Sequence, residues 1–187
     1  MKKLIAGDTA PTFTVKDSYD QIVTFNSDHP RSTLIAFLRY STCPFCNLAI
    51  HRLTVEYPIL QSSGIDVIAF VQSSKENIRE HILGTHAEKP PFPIIYTQHP
   101  NVYKMYHVSP SLEETPSLLA TVPTWLHRIK EGGLGTMATV DGNLFLAPAL
   151  FMVSPTGYVI LAKYAANVYN HELFSEVYDS AARAAIL

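Results

Sequence analysis

The part of the chain that most constrains its fold is residues 32–61, where an apolar strand gives way to a helix with a cysteine pair at the junction. "STLIAFLR" (32–39) is apolar on both faces, which is typical of a central strand covered by helices on each side. After the cysteines, apolar residues recur at helical spacing from 44 to about 57 or 61. We expect Pro58 to kink or end this helix.

Elements on either side of this unit alternate between strand and helix. A polar turn between two short apolar runs predicts a β-hairpin near the N-terminus, and a Ser-Pro-Thr-Gly turn predicts a second hairpin near residue 155. A capping box formed by Ser73 and Glu76 predicts a helix that ends at Gly84, and Asn170 is expected to cap a last helix. The predicted strands are 11–15, 21–25, 32–39, 64–71, 91–96, 149–154 and 158–164.

This order predicts an α/β fold, in which a mixed central sheet is flanked by helices and preceded by an N-terminal β-hairpin. The length of 187 residues suits one domain, 1–187. Residues 97–147 are too long for an ordinary connection, so we interpret them as a helical insertion within that domain.

Composition narrows the classes of function. A net charge of −2 with scattered Lys and Arg argues against nucleic acid as a partner. The apolar run at the N-terminus is too short for a signal peptide, and no run approaches the length of a membrane span. We therefore expect a cytoplasmic protein without a membrane partner. In such a reducing compartment, a close cysteine pair is more often catalytic or metal-binding than structural.

The "CPFC" segment (43–46) holds both cysteines of the chain, at the junction of strand and helix. A helix N-terminus stabilises an anion, so the thiolate of Cys43 should be favoured and its pKa lowered. Cys46 lies one turn further on the same face, close enough to resolve an oxidised Cys43 as a disulfide. Pro44 suits the first helical turn because its missing N–H would lack a partner there.

Two other readings of the cysteine pair stay open. A zinc site needs about four ligands, whereas this chain offers one cysteine pair and dispersed histidines. A purely structural or chance pair is the other alternative. The redox interpretation is preferred, and it requires no metal and no cofactor.

Three segments resemble the thioredoxin-fold superfamily, and most of all its peroxiredoxin-like branch, the AhpC/TSA group. "AGDTAPTFTVKDSYDQIVTFN" resembles the opening of that group, and "APALFMVSPTGYVI" resembles its penultimate hairpin. "FLRYSTCPFC" lies where peroxiredoxins carry a Pro-x-x-x-Thr-x-x-Cys motif. The resemblance covers nearly the whole chain and implies a thioredoxin-like fold and a thiol-dependent oxidoreductase.

The chain also departs from the peroxiredoxin pattern. In that register Cys46 takes the position of the peroxidatic cysteine and Cys43 that of the threonine. Arg39 stands where the motif has proline, and Pro148 stands where peroxiredoxins place an arginine. The motif "CPFC" is most similar to that of glutaredoxins, so the resemblance implies a dithiol centre on a peroxiredoxin-like framework.

Dithiol enzymes of this fold carry a cis-proline just before the penultimate hairpin, so the resemblance implies a cis Ala147–Pro148 bond beside Cys43. "TVPTW" (121–125) makes Pro123 the rival position. A cis-proline site suits a disulfide better than a peroxide. We therefore expect disulfide reductase activity to exceed peroxidase activity.

Four other residues are weighed as members of the site. Arg39 either stabilises a thiolate or forms a salt bridge at a strand end, and the sequence leaves both interpretations open. Thr42 is expected to cap the helix rather than to bind the nucleophile. Tyr40 is interpreted as an aromatic rim residue. His107 is a candidate acid or base, but a lone histidine is more often an ordinary surface or core residue.

The leading hypothesis is an enzyme in which Cys43 attacks and Cys46 resolves. One alternative is a thiol peroxidase, an antioxidant enzyme that reduces hydroperoxides through Cys46 or Cys43. The other is a non-catalytic redox sensor or binding module. The expected partners are a peroxide or disulfide substrate and a reductant such as glutathione or a thioredoxin-like donor, and a homodimer is among the assemblies the sequence allows.

Overall fold

In a computed structural model of the chain, residues 2–96, 100–110 and 140–166 are described. A β-hairpin of β1 (Phe13–Lys16) and β2 (Ile22–Phe25) comes first, as the sequence predicted, and forms a separate two-stranded antiparallel sheet. The remaining described strands form one five-stranded sheet. They are β3 (Ser32–Leu38), β4 (Ile65–Val71), β5 (Ile94–Ile95), β6 (Ala149–Val153) and β7 (Val159–Tyr164).

The strand order in the main sheet is β5-β4-β3-β6-β7. β3 and β4 run parallel, as do β4 and β5, whereas β6 pairs antiparallel with both β3 and β7. The mixed central sheet that the sequence predicted is therefore confirmed. β3 lies in the middle, so the residues at its C-terminal end can be contacted from both neighbouring strands.

The described residues form three helices: α1 (Pro44–Ser62), α2 (Lys75–Ile78) and α3 (Pro100–Met105). α2 continues directly into a π-helical turn, Arg79–Leu83, which ends at Gly84 as expected. The helix is capped by Ser74 rather than by Ser73, because the Ser74 hydroxyl accepts the Asn77 N–H at 3.1 Å. The predicted cap was thus one residue too early.

β3 is buried on both faces, which confirms the pattern from which it was predicted as a central strand. Alternate side chains of β3 enter two different apolar clusters. Leu34 and Leu38 pack with Ile50 and Leu53 of α1, while Ile35 and Phe37 pack on the opposite side with the hairpin and α3. Apolar clusters on both faces of the sheet thus fix β3, and the cluster that contains Leu34 and Leu38 also fixes α1 against it.

Several predicted features lie outside the described residues. These are the last helix with its cap at Asn170, the rival Pro123, and most of the 97–147 insertion, of which residues 100–110 and 140–147 are described. None of the helices in the described part of the chain is both long enough and apolar enough to cross a bilayer.

Candidate active site

Both cysteines lie where β3 ends and α1 begins. Cys43 is the residue before the helix, with extended backbone angles (φ −71°, ψ 117°), and Pro44 occupies the first turn as predicted. The Cys43 N–H donates to the Tyr40 carbonyl at 3.1 Å, and the Cys43 carbonyl accepts the Asn47 N–H at 3.0 Å. Cys43 and Cys46 are free thiols, and each has an exposed fraction of 0 %.

Arg39 directly follows β3 and contacts both sulfurs. Its Nη2 donates to Cys43 Sγ at 3.0 Å, and its backbone N–H donates to Cys46 Sγ at 3.4 Å. Its Nη1 donates to the Leu144 carbonyl at 3.1 Å. Arg39 forms none of the ion pairs between described residues, so the geometry favours the thiolate-stabilising reading over a salt bridge at a strand end.

The two sulfurs have opposite electrostatic environments. Burial alone would raise the pKa of Cys43, but the Cys46 thiol donates a hydrogen bond to its sulfur and the Arg39 cation lies beside it. Together they lower the pKa of Cys43 to about 6. Burial and the neighbouring Cys43 raise the pKa of Cys46 well above its usual value. At neutral pH the pair therefore consists of a Cys43 thiolate and a Cys46 thiol.

Pro148 differs from the sequence-based expectation. The Ala147–Pro148 bond is trans, as are all peptide bonds between described residues, so the expected cis-proline is wrong at this position. The chain runs straight into β6, and the Pro148 carbonyl accepts the Ala165 N–H at 2.8 Å, next to the β6–β7 pairing.

Two further assignments near the cysteines are corrected. Thr42 does not cap α1, because Pro44 occupies the first helical position and Cys43 is therefore the cap residue. Tyr40 is not a rim residue, since only 3 % of it is exposed. Its ring lies beneath the Arg39 guanidinium, with 5.4 Å between the guanidinium carbon and the ring centroid. The buried cation thus contacts an aromatic face as well as a sulfur.

The 140–144 loop closes over the ends of β3 and β4. The Asp141 carboxylate accepts hydrogen bonds from the Ser73 hydroxyl, the Ser74 N–H (2.8 Å) and the Asn77 side chain (2.6 Å). The Asn143 N–H donates to the Gln72 side chain at 3.1 Å. These contacts hold the loop where the Leu144 carbonyl meets Arg39.

Sequence reasoning missed Asn47, His86 and the 140–144 loop. The Asn47 amide nitrogen donates to the Ser41 carbonyl at 2.5 Å and to the Cys43 carbonyl at 3.2 Å. Its oxygen lies 2.9 Å from His86 Nε2. Only Asn47 had a local signal, since it stands one helical turn after Cys43. His86 and the loop come from distant parts of the chain.

A metal site at the cysteines would need further ligand side chains beside the pair. Within residues 2–96, 100–110 and 140–166, no three His, Cys, Asp or Glu side chains are grouped so that they could hold a metal ion. His107 is half-buried, and its Nδ1 has no hydrogen-bond partner. Nothing places it beside either cysteine.

Comparison with known families identifies the chain. The model of the AhpC/TSA family matches residues 6–162. The chain belongs to the AhpC/TSA family. As a member of that family it is a thiol-dependent redox enzyme, of the class that comprises thiol peroxidases and thiol–disulfide oxidoreductases. The comparison with curated proteins finds no significant match.

Solved structures share the thioredoxin-like fold of this AhpC/TSA protein at low sequence identity. A mutant of PrxQ from Xylella fastidiosa is 12% identical with a TM-score of 0.70, and 98% of each chain is covered. Peroxidoxin BcpB from Mycobacterium tuberculosis is 9% identical with a TM-score of 0.68, and 97% of each chain is covered. A putative thiol:disulfide interchange protein DsbE from Chlorobium tepidum is 14% identical with a TM-score of 0.64, covering 99% of this chain and 100% of that one.

Proposed function

We propose that the protein is a thiol-dependent oxidoreductase that cycles its dithiol, with Cys43 as nucleophile and Cys46 as resolving cysteine. One observation carries the assignment of roles: the Arg39 guanidinium donates to Cys43 Sγ at 3.0 Å. A thiolate is the reactive form of cysteine, and a cation in contact with the sulfur favours it. Against the effect of burial, the hydrogen bond from the Cys46 thiol and the Arg39 cation together lower the pKa of Cys43 to about 6.

The oxidising substrate that fits this site best is a small hydroperoxide. Both sulfurs have an exposed fraction of 0 %, so any substrate requires the surrounding chain to move, and a small hydroperoxide requires a smaller movement than a protein disulfide. The Arg39 guanidinium donates to Cys43 Sγ at 3.0 Å, so a peroxide attacked by that sulfur would have a cation nearby to stabilise the negative charge of the breaking O–O bond. The trans Pro148 removes the basis on which the sequence favoured disulfide substrates. We therefore expect peroxidase activity to exceed disulfide reductase activity, which reverses the expectation from sequence.

The proposed cycle has three balanced steps. The Cys43 thiolate attacks the terminal peroxide oxygen; an S–O bond forms, the O–O bond breaks, and the departing oxygen takes a proton to leave as water or an alcohol. Cys46 then attacks the Cys43 sulfenic acid, and the hydroxyl leaves as water with the proton of the Cys46 thiol. An external dithiol, or a pair of thiols such as glutathione, returns two electrons and two protons.

A second candidate assigns the attack to Cys46. The Arg39 backbone N–H donates to its sulfur at 3.4 Å, and Cys46 holds the peroxidatic position in the family register. Its pKa is nevertheless raised well above the usual value by burial and by Cys43. Cys46 is therefore the weaker nucleophile at neutral pH.

The test is the intact mass of the reduced protein after one equivalent of hydrogen peroxide, for the wild type, Cys43→Ser and Cys46→Ser. The wild type should lose two hydrogen atoms as the disulfide forms. Cys46→Ser should gain one oxygen atom as a sulfenic acid on Cys43, which dimedone traps. Cys43→Ser should stay unchanged on the same timescale.

Other outcomes of that experiment discriminate between the candidates. A sulfenic acid in Cys43→Ser but not in Cys46→Ser would assign the attack to Cys46. A disulfide that forms slowly and is not turned over by glutathione or by a thioredoxin-like donor would indicate a redox sensor. If a disulfide-containing peptide oxidises the protein faster than hydrogen peroxide does, the protein is a disulfide reductase instead.

A further inference from the structure

Asn47 is a buried polar residue in the first turns of α1, and only 6 % of it is exposed. Its amide nitrogen donates to the carbonyls of Ser41 and Cys43, at 2.5 and 3.2 Å. Its backbone N–H donates to the same Cys43 carbonyl at 3.0 Å. Asn47 therefore fixes the backbone on both sides of Thr42, including the orientation of the carbonyl of Cys43, the cap residue.

These contacts also fix which way the amide faces. A carbonyl oxygen can only accept, so the two carbonyls require the amide nitrogen of Asn47 on their side. Its oxygen must then face His86, 2.9 Å from Nε2, and that ring nitrogen must carry the hydrogen. His86 is half-buried and comes from the turn that follows the π-helical segment, far from Cys43 in sequence.

We propose that Asn47 is a positioning residue for Cys43, and that His86 holds the Asn47 amide in the orientation that this role requires. The pair acts through the backbone and contacts neither sulfur nor substrate. By fixing the carbonyls at positions 41 and 43, it directs the Cys43 side chain towards Arg39, with 3.0 Å between Nη2 and Sγ. This inference rests on the proposed role of Cys43 as nucleophile.

The physical reason for such a pair is the sensitivity of a charge-assisted contact to position. The Arg39 guanidinium is itself fixed by its bond to the Leu144 carbonyl, so it cannot follow a displaced sulfur freely. Displacement of a reacting group by about 1 Å can cost up to roughly 100-fold in rate. A buried amide that binds two carbonyls is well suited to prevent that displacement, because its loss would take a hydrogen bond from the Ser41 carbonyl and leave the Cys43 carbonyl with the Asn47 backbone N–H alone.

The experiment measures the alkylation rate of Cys43 against pH, together with the rate of oxidation by hydrogen peroxide. It uses Asn47→Ala, His86→Leu and His86→Gln in the full-length chain. The midpoint is the pH at which alkylation of Cys43 reaches half its maximal rate. We expect Asn47→Ala to raise this midpoint by about one unit, which corresponds to an about tenfold smaller thiolate fraction at pH values below it. His86→Leu should shift the midpoint in the same direction. His86→Gln should restore the wild-type midpoint, since its amide N–H can replace that of Nε2.

Thr54→Val is the matched control. It removes a buried hydrogen bond of the same helix, that of the Thr54 hydroxyl to the Ile50 carbonyl at 2.9 Å, without touching the Cys43 segment. It should lower the free energy of unfolding and leave the midpoint unchanged. If Asn47 had a merely structural role, Asn47→Ala would likewise lower the free energy of unfolding and leave the midpoint unchanged.

The outcomes separate this inference from the proposed function. If the wild-type midpoint lies at the value of an ordinary thiol, the assignment of Cys43 as nucleophile fails before Asn47 is considered. If the wild-type midpoint is low and Asn47→Ala retains it, the positioning role is overturned. If Asn47→Ala does not fold, the two His86 variants test the positioning role instead. Equal shifts of the alkylation midpoint in His86→Leu and His86→Gln would show that Asn47 does not need an N–H donor at position 86.

Discussion

At the scale of single residues, Arg39 decides the chemistry of the cysteine pair. A buried guanidinium is stable only when its charge is compensated, and here the compensating group is a thiolate instead of a carboxylate. The two charges depend on each other, because Cys43 raises the pKa of Arg39 while Arg39 lowers that of Cys43.

Replacing Arg39 with Met should raise the pKa of Cys43 from about 6 towards the ordinary thiol value of about 8.5. The thiolate forms above the pKa, so alkylation of the wild type should rise with pH through about 6 and reach a plateau near neutrality. The variant should still be rising at pH ~8. Stopped-flow alkylation against pH measures both midpoints, and Cys46→Ser as background isolates Cys43.

Arg52→Met is the matched control for this prediction, because Arg52 is an exposed arginine on α1. It should leave the midpoint of Cys43 unchanged. An unchanged midpoint in Arg39→Met would mean that the helix N-terminus and Cys46, and not the cation, hold the thiolate.

At the scale of elements, α1 takes the longer of its two predicted extents, and Pro58 does not end it. The helix runs from Pro44 to Ser62 and contains Pro58, which lies on an exposed part of it. Leu53 and Leu60 are buried on either side of that residue, and their packing holds the helix together through the interruption. Tertiary packing thus outweighs a local helix breaker.

Pro58→Ala should therefore stabilise the protein. Alanine would supply the N–H that proline lacks and remove the clash of the ring with the preceding turn, which together cost about 3 kcal/mol in a helix interior. Because the surrounding chain has already adapted to Pro58, we expect the free energy of unfolding to rise by about 1–2 kcal/mol. Urea denaturation measures this change.

Val55→Ala serves as the comparison, since Val55 is an exposed residue of the same helix, and it should change the free energy of unfolding by less than about 0.5 kcal/mol. Peroxide oxidation should be unaffected in both variants. Loss of stability in Pro58→Ala would show that the packing of α1 requires proline at this position.

At the scale of the whole molecule, the site is closed by segments that are distant in sequence. The 140–144 loop lies against residues 72–77 and brings the Leu144 carbonyl to Arg39. Gly142 makes this approach feasible, because a Cβ there would overlap the Gln72 backbone oxygen and press on Tyr40.

Gly142→Ala should consequently displace the loop and expose the sulfurs. We expect labelling of the reduced protein by a bulky maleimide to accelerate several-fold, while labelling by iodoacetamide, a small reagent, changes less. Val140→Ala, at an exposed residue of the same segment, should leave both rates unchanged. Equal labelling rates with the bulky maleimide in the wild type and Gly142→Ala would show that another part of the chain closes the site.

The homodimer stays a prediction, which light scattering of the purified protein can check.

The sequence by itself determined the order of the elements and the place of the cysteines. Apolar periodicity reports burial directly, and it located β3 and the hairpins; the junction of β3 with α1 then placed Cys43 at a helix N-terminus. The family followed from motifs that are local in the chain, and the matched residues 6–162 confirm it. Each of these inferences needed only residues close together in sequence.

Tertiary structure decided what surrounds the two sulfurs. Arg39 contacts Cys43 Sγ and the Leu144 carbonyl because the fold brings these groups together. No local sequence pattern predicts those contacts. The bond before Pro148 is trans although the local motif predicted cis, and the contact of Asn47 with His86 joins positions 39 residues apart. Local sequence specifies backbone conformation and burial. The pKa of a buried thiol, by contrast, is set by charges and donors within a few ångströms, and here several of these come from elsewhere in the chain.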